Sequence, residues 1–159
     1  MVKDPYQLSC LTMNKTHYLK TVLVGDINVG KTSLAYRFVK EKFKENYTAT
    51  LAGDGCVVQF NIWDTAGQEK YQSFFSPLYF HGADIAFIVY DVTNSESFAR
   101  VSHWFDTLQK YCNTAIPVLV ANKCDCGSIV EEGIALSFAA SKSLQFVHTS
   151  AKTGENVED

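Results

Sequence analysis

Apolar runs of strand length recur along this chain and are separated by segments with a helical spacing of apolar residues. The run Ile85–Tyr90 is apolar throughout, as expected of a central parallel strand that is covered on both faces. Residues 58–63 alternate between apolar and polar, which is typical of a half-exposed strand. The complete pattern predicts strands at residues 18–24, 58–63, 85–90, 116–121 and 144–149.

The segments between these strands predict helices. One begins after Gly30 and continues to about Lys42, and another covers residues 130–142. A third has one buried face, because apolar residues recur there in steps of three and four. Trp104 lies off this stripe and is interpreted as flanking packing. The residues of the stripe are Phe98, Val101, Phe105, Leu108 and Cys112.

Alternating strands and helices predict an α/β fold with a mostly parallel, six-stranded sheet flanked by helices. Right-handed crossovers in such a sheet place the ligand site at the carboxyl ends of the strands. Residues 1–17 have no clear period and are interpreted as an N-terminal extension, and residues 18–159 as one domain.

The loop Gly25–Thr32 joins the first strand to the first helix and has the pattern G-x-x-x-x-G-K-T. Glycine at both ends lets backbone N–H groups turn toward a phosphate chain, and the helix adds the positive end of its dipole. Lys31 is placed to reach β- and γ-phosphates, and the Thr32 hydroxyl to bind Mg²⁺. A chance glycine-flanked turn is disfavoured, because a strand and a helix flank the loop. The predicted phosphate contacts are Asn28, Val29, Gly30, Lys31, Thr32 and Ser33.

The segment after residues 58–63 carries three residues suited to the same chemistry. Asp64 is placed to bind Mg²⁺, and a backbone N–H of Gly67 to contact a γ-phosphate. Gln68 is placed to orient a water molecule for in-line attack. We therefore predict that Gln68 and Lys31 are the catalytic residues of a phosphate hydrolysis.

The last two strands end in motifs that select a base. Asp125 can accept hydrogen bonds from two N–H groups on one edge of guanine, and adenine presents the opposite pattern there. Ala151 can offer its backbone N–H to a purine carbonyl. Each short motif is a weak signal alone, because polar residues after strands usually form solvated turns. Together they predict base contacts from Asn122, Lys123, Asp125, Ser150, Ala151 and Lys152.

Composition excludes several other classes of protein. The 159 residues are 47% hydrophobic, which is enough for one domain with a core. With 14 basic and 17 acidic residues, the net charge of −3 argues against a nucleic-acid or polybasic membrane surface. The chain shows no signal-peptide core and no apolar run of membrane-spanning length. Five scattered cysteines are typical of reduced intracellular thiols, and Cys124 and Cys126 are interpreted as incidental rather than metal ligands.

These motifs resemble those of the Ras superfamily of small GTPases, and most closely its Rab branch. The resemblance covers residues 18–159 and implies a molecular switch that binds GTP or GDP with Mg²⁺ and hydrolyses GTP in vesicle trafficking. It also implies a cytoplasmic protein, on the cytosolic face of endomembranes when lipidated. The Rab-like segments are residues 62–71, 77–83, 89–94 and 149–154.

The resemblance assigns further roles. Phe43 is expected to pack on the guanine, and Thr50 to bind Mg²⁺ and the γ-phosphate. Trp63 and Tyr79 look like members of the aromatic cluster that Rab proteins present to effectors, although ordinary packing explains them equally well. Exchange factors, GTPase-activating proteins and effectors are expected to bind the two switch segments. Membrane attachment is expected only through a lipidated tail that this sequence does not contain.

The chain departs from the family pattern between Thr50 and Asp64. A strand from Cys56 to Asp64 is about 26 Å long, whereas the chain from Thr50 to Cys56 spans at most about 21 Å. A full-length strand and a Thr50 that shares Mg²⁺ with Asp64 therefore exclude each other. We expect the second strand and the last helix of the family to be absent here. Residues missing from this sequence after Leu51 and Cys126 are one explanation.

Ile27 is a further departure, because Rab proteins usually have a small residue there. A β-branched side chain would crowd the γ-phosphate and an incoming arginine finger, which accelerates Ras-type hydrolysis by ~10⁵. The sequence therefore predicts a slow GTPase. A GTP-binding interaction module with little or no hydrolysis, because its first switch is remodelled, is the alternative. An ATP-using kinase is disfavoured by Asp125.

Overall fold

The computed structural model describes residues 15–39, 46–53, 56–64 and 77–157. Its strands are β1 (Lys15–Gly25), β2 (Asn46–Gly53), β3 (Cys56–Asp64), β4 (Ile85–Asp91), β5 (Ile116–Asn122) and β6 (Gln145–Thr149). Its helices are α1 (Lys31–Val39), α2 (Pro77–Phe80), α3 (Ser95–Ala99), α4 (Val101–Tyr111) and α5 (Glu132–Ser141).

The six strands form one sheet in the order β2-β3-β1-β4-β5-β6. β2 runs antiparallel to β3, and every other neighbouring pair is parallel. Asp91, Asn122 and Thr149 lie side by side at the ends of β4, β5 and β6. The predicted α/β sheet is confirmed, and its carboxyl edge collects the motifs that the sequence placed after each strand.

Alternate residues of the central strands supply two hydrophobic cores. On one face, residues such as Ile88 and Leu119 pack under α4 and α5. On the other face, Val89 and Val120 pack with Leu34 of α1. Because both faces are apolar, residues 85–90 of β4 are all apolar, as the sequence indicated.

The interpretation of Trp104 as flanking packing is wrong. Trp104 is only 2% exposed, and together with Val101 and Leu108 it forms the buried face of α4. Phe105, which the sequence placed on that face, is half-buried. An amphipathic indole can occupy such a position when its N–H finds a hydrogen-bond acceptor, and Trp104 Nε1 donates to Asp26.

The expected absence of the second strand is also wrong. β2 is built from Asn46–Gly53, the segment that contains Thr50, and it pairs with residues 56–63 of β3. Gly53 pairs with Cys56, so two residues, Asp54 and Gly55, connect the strands. These two residues lie outside the described part of the chain. β2 and β3 are therefore antiparallel neighbours close in sequence, and Thr50 is a residue of β2.

The first and last described elements differ in their bounds from the predicted strands and helices. β1 begins at Lys15, three residues before the strand predicted at residues 18–24. The helix α1 ends at Val39, and its predicted continuation to Lys42 lies outside the described residues. After β6, residues 150–157 form turns. In the described parts of the chain, helices are too short or too polar to cross a bilayer.

Candidate functional site

The loop after β1 is shaped by two glycines in conformations that other residues avoid. Gly25 has φ 145°, and a Cβ there would lie 2.2 Å from the Val89 carbonyl oxygen. Gly30 has φ 97°, and a Cβ there would lie 2.4 Å from the Asn122 side-chain nitrogen. Any larger side chain at either position would push the loop off β4 and β5. The loop therefore follows a narrow path across the carboxyl edge of the sheet.

Lys31 is buried within this loop, with 4% of its surface exposed. Its Nζ donates to the carbonyl oxygens of Gly25, at 3.0 Å, and Asp26, at 2.7 Å. The ammonium group is thus held on the inner side of the loop, next to the N-terminal turn of α1. An N-terminal turn and an ammonium group together favour phosphate at this place.

Asn122 ties the phosphate loop to the end of the sheet. Its side chain is 1% exposed, and its Nδ2 donates to the Val29 carbonyl at 2.8 Å. Its Oδ1 accepts from the Thr149 hydroxyl, at 3.2 Å, and from the Ala151 N–H, at 3.3 Å. The N–H that the sequence assigned to a purine carbonyl is therefore directed at Asn122 in this structure.

Lys123 holds the other side of the phosphate loop. Its backbone is left-handed, with φ 67°, and its Nζ donates to the Asn28 carbonyl at 2.9 Å. The same ammonium forms an ion pair with Asp91 at the end of β4. Burial favours the neutral Asp91 carboxyl, but hydrogen bonds from Lys123 and Thr93 prevail and lower its pKa. Asp91 is ionised at neutral pH and fixes the direction of Lys123.

Asp125 presents an ionised carboxylate beside the last loop. The Ser150 hydroxyl donates to Asp125 Oδ1 at 2.6 Å, and this bond lowers the pKa of the carboxyl. Lys152 Nζ lies 3.6 Å from Oδ2. The Cys126 thiol donates to Oδ2 at 3.4 Å, and this contact raises the pKa of the thiol. The carboxylate is an acceptor at neutral pH, as guanine recognition requires.

Arg37 of α1 supports the loop that carries Ser150 and Ala151. Its Nε donates to the Ala151 carbonyl at 2.9 Å, and one terminal nitrogen donates to the Lys152 carbonyl. Gly154 lies against the guanidinium. The helix that follows the phosphate loop thus also fixes the base-side loop, so both halves of the site share one scaffold.

Two of the three predicted Mg²⁺ ligands lie at the carboxyl edge of the sheet. Asp64 is 7% exposed at the end of β3, next to Leu23 of β1, and Thr32 lies in the first turn of α1. A carboxylate and a hydroxyl are the hard oxygen donors that Mg²⁺ prefers. Thr50 does not join them, because it pairs with Gln59, five residues before Asp64 and therefore about 17 Å along β3. Its predicted role as a shared ligand does not fit this arrangement.

Three predicted site residues lie outside the described residues. These are Phe43 on the guanine, and Gly67 and Gln68 near the γ-phosphate. The residues that the structure brings together are Asn28, Val29, Gly30, Lys31, Thr32, Ser33, Asn122, Lys123, Asp125, Ser150, Ala151 and Lys152. Phosphate-side and base-side predictions therefore converge on one edge of the sheet.

Sequence reasoning missed four residues that hold this site. Asp26 and Trp104 meet across 78 positions of the chain, Arg37 reaches the last loop, and Asp91 orients Lys123. Asp91 offered a signal, since it is a carboxylate directly after an apolar strand whose end lies at the site. Trp104 offered another, because a buried indole needs an acceptor for its N–H.

A comparison with protein families agrees with this site. The model of the Ras family matches residues 20–159, which is most of the chain. The chain belongs to the Ras family of small GTPases. It is therefore a guanine-nucleotide switch with GTPase activity, in a family that binds GTP or GDP with Mg²⁺.

Proposed function

We propose that this GTPase is a Rab-like regulator of vesicle trafficking that hydrolyses GTP slowly. The observation that carries slow hydrolysis is the position of Ile27 in the phosphate loop. Its side chain is 45% exposed, and it lies between Asp26 and Asn28, which are both fixed by hydrogen bonds to other elements. The loop is therefore held on both sides of Ile27, and the exposed Ile27 side chain is open to contact by an approaching protein.

Different residues of this chain bind the phosphates, the metal and the base. Lys31 and the N–H groups of the loop bind the β- and γ-phosphates, and Asp125 selects guanine. Thr32 and Asp64 would hold Mg²⁺, which neutralises charge on the phosphates when it is bound. Gln68 is expected to orient the attacking water. Ile27 limits how closely an arginine from another protein approaches this centre.

Replacing Ile27 with serine is expected to raise single-turnover GTP hydrolysis by about tenfold. A GTPase-activating protein for Rab-type substrates should stimulate the variant strongly and the wild type weakly, because only the variant has room for an arginine finger. Phosphate release from preloaded protein, at saturating activating protein, measures both rates. Ile134→Ser, which changes an isoleucine of similar exposure in α5, outside the site, serves as the control.

The outcome also separates the two candidate functions. If neither the wild type nor the variant releases phosphate faster than GTP hydrolyses in solution, the result supports an interaction module without hydrolysis. Full stimulation of the wild type, unchanged in Ile27→Ser, would contradict the proposed role of Ile27.

The interaction module remains a second candidate because of Thr50. This residue is part of β2 and pairs with Gln59, away from Asp64. A switch threonine held in a strand cannot respond to a γ-phosphate in this arrangement. A conformational response to nucleotide would favour the ordinary switch, because Thr50 would then have to leave the ladder.

The Rab branch is supported by the surface around Trp63. Trp63 and Tyr79 meet edge to face at 6.3 Å, and Lys20 Nζ lies 4.3 Å from the Trp63 ring. The Tyr79 hydroxyl lies 2.7 Å from the Trp63 carbonyl oxygen and 3.0 Å from that of Leu23. Tyr79 therefore packs within the fold, and the half-buried Trp63 is the side chain that effectors would contact.

A trafficking role predicts nucleotide-dependent localisation. When it is expressed from its own gene with an N-terminal tag, the protein should lie on vesicle membranes. Asp125→Asn, which should not hold GTP, is expected in the cytosol instead. Fluorescence microscopy compares the two, and Asp106→Asn on the exposed side of α4 is the control. A uniform cytosolic signal for all three would contradict the proposal.

A further inference from the structure

We infer that Asp26, Trp104 and Arg100 form a brace that positions Lys31 for phosphate binding. The inference rests on guanine-nucleotide binding by this family and assigns a role to residues outside the binding motifs. The role inferred for the three side chains is exerted through Lys31 and not through contact with the nucleotide. They are positioning residues.

The brace converges on one oxygen atom. Trp104 Nε1 donates to Asp26 Oδ1 at 2.9 Å, and Arg100 Nε lies 3.0 Å from the same oxygen. The Asp26 side chain is 17% exposed and that of Arg100 is 45% exposed. Trp104 is 2% exposed. The bond from Trp104 is therefore the sheltered one, whereas the ion pair with Arg100 is partly screened by water.

The backbone of Asp26 connects this brace to Lys31. The Asp26 carbonyl accepts from Lys31 Nζ at 2.7 Å, and the Gly25 carbonyl accepts from the same nitrogen at 3.0 Å. A carboxylate fixed on α4 restricts rotation of the peptide that carries this carbonyl. The direction of the carbonyl in turn sets where the ammonium lies. Because electrostatic stabilisation depends on preorganised groups, a displaced ammonium would bind phosphate less well.

A second anchor limits the loop on the other side of Ile27. Lys123 donates to the Asn28 carbonyl, and Asp91 holds Lys123. Asp26 and Asn28 are thus each fastened to the segment that follows β4 or β5. Without the contact of Asp26 with Trp104 and Arg100, the loop would still be held at Asn28 by Lys123, but the peptide at Asp26 could rotate. The loop should then change shape locally, without unfolding of the sheet.

The alternative is that the contact only packs α4 against the loop. In that case its loss would lower stability and leave the phosphate geometry of the folded protein unchanged. The charge of Asp26 argues against packing alone, because a mostly buried carboxylate requires specific donors. Within the described residues, Trp104 of α4 and Arg100, the residue before this helix, supply these donors.

The test measures release of a fluorescent GDP analogue at saturating Mg²⁺. Asp26→Ala should release it about tenfold faster, which is the order expected for loss of a charge-assisted hydrogen bond. Trp104→Phe should have a similar effect, and Arg100→Ala about a twofold effect because its side chain is more exposed. Asp26→Asn should recover part of the loss, since its amide oxygen can still accept from Trp104.

The decisive result is the double variant Asp26→Ala with Trp104→Phe. If both residues act through one contact, it should release the analogue no faster than the faster single variant. The β-phosphate signal of bound GDP in ³¹P NMR should shift in Asp26→Ala. It should stay unchanged in Asp106→Ala, an exposed acidic residue of the same helix, and in Leu108→Ala, which removes core packing of α4.

Three results would overturn the inference. In the first, the fold increases in release rate of the two single variants multiply in the double variant. In the second, Asp26→Ala releases the analogue at the wild-type rate. In the third, the β-phosphate signal shifts as much in Leu108→Ala as in Asp26→Ala. If Trp104→Phe does not fold, Arg100→Ala replaces it in the cycle. Failure of the wild type to bind GDP would overturn guanine-nucleotide binding as well. If the wild type binds GDP but the effects of the two substitutions on the release rate multiply, only the inference of the brace is overturned.

Discussion

Asp125→Asn is expected to lower the affinity for GTP by about 10³-fold and to create affinity for XTP. Guanine places two N–H donors toward this position, and the ionised Asp125 carboxylate offers only acceptors. An asparagine can turn one acceptor toward the base, but its NH₂ group then faces the second donor. Xanthine has a carbonyl in place of that amino group, so it matches the variant.

The surroundings of Asp125 make this a change of chemistry rather than of shape. Ser150 donates to Asp125 Oδ1, and asparagine can accept the same bond through its amide oxygen. The hydrogen bond from Ser150 already lowers the pKa of the carboxyl, so the wild-type group is charged at neutral pH. The variant should therefore keep the loop conformation and alter only the donor and acceptor pattern that the base meets.

Competition of GTP, XTP and ATP against fluorescent GDP measures the preference of wild type and variant. Asp106→Asn makes the same chemical change on the exposed side of α4 and should leave the order of affinities unchanged. GTP binding at wild-type strength in Asp125→Asn would contradict base recognition by this carboxylate. Loss of all nucleotides, without gain of XTP, would indicate that the loop itself had been disrupted.

Much of the site could be predicted from sequence because local signals place the strands. Apolar runs fix β4 and β5, and the parallel fold brings their ends to one edge whatever the details of packing. Asn122, Asp125 and Ser150 therefore meet, although 28 residues separate the first from the last. Chain order and strand period were sufficient for this part of the result.

The second strand could not be predicted in the same way. The resemblance assigns Thr50 to Mg²⁺ together with Asp64, and that assignment excludes a full-length strand from Cys56 to Asp64. The structure instead pairs Asn46–Gly53 with β3, which satisfies the backbone of both strands. A short hairpin closes at low entropic cost, so local pairing prevails over the position that the resemblance implied.

Contacts between side chains that are distant in the chain could not be predicted from the sequence either. Asp26 meets Trp104 and Arg37 reaches Ala151 only because α4 and α1 pack beside the loops concerned. Such contacts depend on rotamers and crossing angles, which periodicity does not specify. They nevertheless decide how firmly the predicted motifs are held.

Asn122→Ala is expected to destabilise the protein and to abolish most nucleotide binding. Alanine would leave the Val29 carbonyl and the Ala151 N–H without the partner they have in Asn122. It would also open space beside Gly30, since a Cβ on Gly30 would lie 2.4 Å from the Asn122 nitrogen. Unsatisfied buried groups together with a cavity cost about 3 kcal/mol of the free energy of unfolding.

The loss of binding should exceed what this destabilisation explains. Asn122 joins the phosphate loop to the base-side loop, so its removal lets the two halves of the site move apart. Leu144→Ala is the matched control, because it removes buried packing at the opposite end of β6 with a similar cost in stability. Urea unfolding with and without GDP measures both properties in each variant.

GDP at 100 times its dissociation constant should restore about 2.7 kcal/mol to Leu144→Ala, whose binding site is intact. The same GDP concentration should restore little to Asn122→Ala, because the ligand stabilises only a protein that can bind it. Equal recovery in the two variants would show that Asn122 contributes to folding alone. If GDP restores much less free energy of unfolding to Asn122→Ala than to Leu144→Ala, Asn122 is needed for binding, as expected of the residue that connects the phosphate side and the base side of the site.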